Sequence, residues 1–144
     1  MLPRRSLISS LSAFARDRRG EMDEAAIVFP VMLLLAIGLV NMALLGVAAV
    51  NAGNAANYGA RMGAVAQANP AGIAYASASQ AVHAAPVGAY GISVSGGGAP
   101  GSAITVSVSY TLPNYFASIA AFFGAGMPEQ FTGTAVSHFR QEGW

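Results

Sequence analysis

Polar and apolar positions divide this chain into stretches of different rhythm. Residues 1–24 mix arginines, serines and acids, Ala25 to Val50 form one apolar run, and small-residue segments followed by period-two patterns fill the remainder. The run holds no charge and one strongly polar side chain, Asn41. It is longer than the roughly 20 residues that cross a bilayer core. A cleavable secretory signal has a core of only about 7 to 15 apolar residues. A transmembrane helix is therefore expected, with Pro30 in its second turn, where a missing amide proton costs less than at the centre although the ring still bends the axis.

Past Val50, "NAGNAANYGARMGAVAQAN" (51–69) is nearly all small residues and contains no turn dipeptide before Asn69-Pro70. The helix is expected to continue outward, so that residues 21–69 make one transmembrane and extended helix reaching about 70 Å. Gly59 and Gly63 form a GxxxG, and Ala52, Ala56 and Ala60 follow at fourfold spacing. Such a face admits close approach of another helix. That helix could belong to another subunit or to the chain's own outer domain, and the pattern leaves both readings open.

Asn69-Pro70 reads as an N-cap followed by proline at the first helical position, opening a helix to about Ala85 that Pro86 stops. "VGAYGISVS" and "AITVSVSYTL" flank the loop "GGGAPGS" and predict an antiparallel hairpin. In the second of these, Ile104, Val106, Val108, Tyr110 and Leu112 alternate with Thr105, Ser107, Ser109 and Thr111. Residues 114–124 set Phe116, Ile119, Phe122 and Phe123 on one helical stripe or form a compact apolar loop, and residues 129–141 read as a last strand. The expected class is α+β: a long N-terminal helix leading into a small domain, residues 70–144, with a short helix and a three-stranded antiparallel sheet.

Hydrophobic residues make up 54% of the chain and charged residues 9%, against about 25% charged in an ordinary soluble domain. The net charge of +1 hides an asymmetry, because five of the seven arginines precede Gly20 and there is no lysine. The positive-inside bias then places residues 1–20 in the cytoplasm and residues 70–144 outside a cytoplasmic membrane. No basic cluster remains for nucleic acid. Without cysteine there is no disulfide or thiolate metal site.

Candidate chemistry is sparse. Residues 96–101, "GGGAPG", match G-x-G-x-x-G literally, yet a strand pattern follows where a dinucleotide site needs a helix N-terminus, so a hairpin loop is expected. His83 and His138 have only Glu129 and Glu142 as outer carboxylates, too few for a metal cage. The serines of "YASASQ" lack an acid to orient a catalytic base. No enzyme, cofactor or metal is expected. Glu24 stands apart: Glu21, Asp23 and Glu24 complement a helix macrodipole, but an ionisable group at the hydrocarbon edge calls for a partner.

Arg18-Arg19-Gly20, an acid soon after, Pro30 six residues beyond Glu24, and then the apolar run resemble the start of TadE-like proteins, minor pseudopilins of the tight adherence (Flp) pilus system. The resemblance extends through the small-residue helix with Arg61, "ITVSVSYTLP" and "FTGTAVSHFRQE", and rests on the order of these features rather than on any one motif. It implies a prepilin-type leader, residues 1–20, cut after Gly20 by a membrane prepilin peptidase, with Arg18 and Arg19 holding the leader inside and Glu21 carrying the new amine. Glu24 would pair with such an amine on a neighbouring subunit, although it is the fourth residue after Gly20 where the family's glutamate is usually fifth. The implied partners are the membrane, the peptidase, other pilin-like subunits and the pilus assembly platform. The implied function is a structural minor pilin-like subunit that initiates, caps or regulates an adhesive filament. The alternative is a permanently anchored binding or scaffold module of an envelope secretion machine.

Overall fold

The computed structural model describes residues 18–84, 87–122 and 124–142. Residues 1–17 of the expected leader lie outside these, as do Ala85, Pro86 and Phe123. The order of elements is α1 (Arg18–Ala64), α2 (Pro70–His83), β1 (Ala89–Gly96), β2 (Ala103–Pro113), α3 (Tyr115–Phe122) and β3 (Gln130–Arg140). The chain is α+β, and its contacts divide it after Ile37 into two compact units.

The described part of the first unit is helix throughout. Leucine, alanine and methionine are strong helix formers, and Pro30 lies within the helix rather than ending it. Ile27, Phe29 and Leu35 are exposed. From Glu24 onward α1 is long and apolar enough to cross a membrane.

In the second unit, the C-terminal part of α1 is a wall of the core. Ala52, Ala55, Ala56, Ala60 and Ala64 are buried together with Ala74 and Ala78 of α2 and Ile104, Val106 and Val108 of β2. The alternation in β2 explains its share, since even positions point inward while Ser109 faces solvent. The sheet order is β1-β2-β3, antiparallel throughout, with Val94 opposite Val106 and Val108 opposite Ala135. Tyr110 is opposite Gly133, whose missing side chain leaves room for the phenol ring.

Two boundaries differ from those expected. The first helix stops at Ala64 rather than continuing to residue 69. Val65 N still donates to Arg61 O (3.3 Å), but Ala66 N tightens onto Gly63 O (3.3 Å), and the Ala64 carbonyl accepts from Glu142 N at 2.9 Å. The segment after β3 thus supplies a partner for one of the carbonyls that a helix end leaves open. Asn69 then sits at φ 48°, ψ 56°, a left-handed conformation that asparagine tolerates, while the following proline disfavours a right-handed helical one. Its side chain accepts from Gly72 N at 3.2 Å, capping α2 as expected. The second helix ends at His83, one residue before its C-cap Ala84. Residues 115–122, open between helix and loop in the sequence, are helical.

Candidate functional site

The residues expected to direct processing and assembly lie near the start of α1. Arg18, Arg19, Gly20, Glu21, Glu24 and Pro30 all have helical backbone. Glu24 and Pro30 are exposed, and Glu24 immediately precedes the charge-free stretch. One turn of helix therefore separates Gly20 from an exposed carboxylate at the edge of an apolar surface.

Gly59 and Gly63, the candidate helix-packing residues, are occupied by α2 of the same chain. A methyl group placed on Gly59 would lie 2.7 Å from the Ala74 carbonyl oxygen and 2.8 Å from Ala78 Cβ. On Gly63 it would lie 2.6 Å from Ile104 Cδ1 and 2.7 Å from Ala74 Cβ. Within this chain the small-residue face packs against α2 and β2.

A second constellation was not anticipated. Asn41 is 6% exposed and Asn114 4% exposed, and Asn41 Nδ2 donates to Asn114 Oδ1 at 3.1 Å. That oxygen also accepts from Phe116 N (3.0 Å), while Asn114 Nδ2 donates to the Pro128 carbonyl (2.8 Å) and Asn114 N to the Glu129 carbonyl (2.8 Å). Asn114 thereby ties both ends of the segment 113–129 to α1. One turn earlier, a methyl group on Gly38 would approach Phe116 Cε2 to 3.3 Å. Asn41 was visible as the polar exception in the apolar run, but Asn114 looks in sequence like any loop asparagine after a proline. A further cross-tie joins Ser137 Oγ to Asn57 Oδ1 at 2.7 Å.

The glycine-rich loop turns between β1 and β2 with Gly96, Gly97 and Gly101 at positive φ, and β2 rather than a helix follows it. His83 and His138 are exposed. Among the described residues there is no group of three or more His, Asp or Glu side chains able to hold a metal ion. No family model, curated protein or solved structure matches the chain.

Proposed function

We propose that this chain is a non-enzymatic minor pilin-like subunit of a tight adherence (Flp) pilus, anchored in the cytoplasmic membrane by α1 and helping to initiate, cap or regulate the filament. One arrangement carries the reading: Arg18-Arg19-Gly20, an exposed Glu24 and Pro30 open an apolar helix that runs into a small antiparallel sheet. The Gly20–Glu21 bond lies in helical backbone, whereas a peptidase takes an extended one. Glycine in a helix is about 1 kcal/mol less favourable than alanine, so the first turn opens readily at this point. Cleavage would leave an ammonium group at a helix N-terminus, where positive charge is disfavoured. A neighbour's Glu24 carboxylate would neutralise it and lose its own isolation at the hydrocarbon edge.

Two substitutions test the roles separately. Gly20→Val should keep the leader attached, read as a mobility shift on immunoblots. Glu24→Gln should be cleaved normally but fail to co-purify with other pilin-like subunits, whereas an acid that served only the macrodipole would contribute about 0.3 to 1 kcal/mol and be dispensable. Normal assembly of both variants would refute the reading. Protease added to spheroplasts should trim residues beyond 70, and access to the N-terminus alone would reverse the orientation.

The spacing of Glu24, fourth rather than fifth after Gly20, favours a second reading. In it the chain keeps its leader and scaffolds an envelope secretion machine from the membrane. Mass spectrometry of the mature N-terminus separates the two.

A further inference from the structure

We propose that α3, with Pro113 and Asn114 before it and residues 124–129 after it, is a second membrane-contacting element, seated in the outer interfacial layer of the bilayer beside α1. This inference rests on α1 spanning the membrane. It does not require that the chain be a pilin.

The argument begins with length. A bilayer core is about 30 Å thick, and Ala25 to Ile37, at about 1.5 Å per residue, reaches only about 20 Å. A membrane that accepts this helix must therefore also take in the start of the second unit, from Gly38 to about Leu44. Leu39, Val40 and Met42 there are exposed and apolar, as lipid contact requires. Within that same unit, Gly38 and Asn41 are where Phe116 and Asn114 lie against α1. The segment is thus packed onto the part of α1 that hydrocarbon has to reach.

Its chemistry suits that depth. Residues 113–128 carry no formal charge, and Glu129 is the first. Tyr115 is 54% exposed and Met127 46% exposed. Tyrosine is favoured at the headgroup boundary, with an apolar ring on one side and a hydroxyl for water on the other. Polar groups near hydrocarbon must find partners inside the protein. Asn41 finds Asn114, and Asn114 answers the Phe116 amide and the Pro128 carbonyl. Ala125 N donates to Ala120 O at 2.8 Å and Gly124 N to Ala121 O at 3.0 Å. Its attachment at Gly38 and Asn41 lies about 5 to 9 Å before Leu44 at about 1.5 Å per residue, which is interfacial depth. Lipid is the occupant because Leu39, Val40 and Met42, at the same level of α1, are exposed and apolar.

Single-tryptophan variants of the full chain, made in a Trp144→Phe background and reconstituted into phosphatidylcholine vesicles with or without brominated acyl chains, test this. Leu35→Trp reports the span, Tyr115→Trp the proposed contact, and Tyr75→Trp, on α2 and 52% exposed, the aqueous control. Brominated lipid should lower the emission of the first two by about twofold or more and leave the third unchanged. Quenching of Leu35→Trp without quenching of Tyr115→Trp would overturn the inference while leaving the span intact. A blue-shifted but unquenched Tyr115→Trp would instead show that a second protein surface covers the segment, which also overturns it. An unquenched Leu35→Trp would remove the premise, and with it both this inference and the anchored pilin.

Discussion

At the residue scale, the Asn41–Asn114 pair decides more than its size suggests. Replacing Asn114 with alanine would strand the Asn41 amide, the Phe116 amide and the Pro128 carbonyl at once, and a buried group left unpaired costs about 1 to 3 kcal/mol. Asn114→Ala should therefore lower unfolding stability in detergent by about 2 to 4 kcal/mol. Asn41→Leu should lower it less, since Asn114 keeps its other partners. Equal effects in thermal melts would show that the knot around Asn114 is incidental. Half of this pair was legible in the sequence, because a polar side chain interrupting an apolar run must be satisfied somewhere. Its partner is 73 positions away, and nothing local to Asn114 marks it. Glu24 stood out for a similar reason, as the last charge before an apolar run.

At the scale of elements, alternation in β2 and the Asn69-Pro70 cap were readable because the strand period and the cap chemistry are local properties. The end of α1 was not, because it depends on Glu142 arriving from the far end of the chain. The same holds for its small-residue face, whose occupant only the return of α2 reveals. That close approach gives a paired test. Gly53 has nothing within 4 Å of a would-be methyl group, whereas Gly59 meets a backbone oxygen at 2.7 Å. Gly53→Ala should stabilise by about 0.5 to 1 kcal/mol through helix propensity alone. Gly59→Ala gains the same propensity but overpacks the interface, which typically costs about 1 to 3 kcal/mol, so it should melt earlier than the unaltered chain. Stabilisation by both would mean that α2 is easily displaced from α1.

At the scale of the whole molecule, composition and topology were readable, but the division of labour along α1 was not. An apolar run followed by a small-residue run suggested an anchor and a domain beginning near residue 70, whereas the second compact unit begins at Gly38. Half of the buried cluster, Ala52 to Ala64, comes from α1. A fragment of residues 51–142 should consequently show a cooperative thermal transition by circular dichroism, and one of residues 70–142 should not. A sharp melt of the shorter fragment would show that the sheet and α2 suffice. The alanines also make the two sides of this core unequal in entropy. An alanine has no rotamers to surrender on burial, so α1 enters the core without freezing side-chain motion, and that loss falls on Ile104, Val106 and Val108 of β2. A wall built of methyl groups leaves evolution almost nothing to trim, and nearly every substitution open to it on α1 is an enlargement. This face of α1 should therefore vary less among sequences that share the fold than the strand it covers, where a larger side chain can be exchanged for one of similar volume.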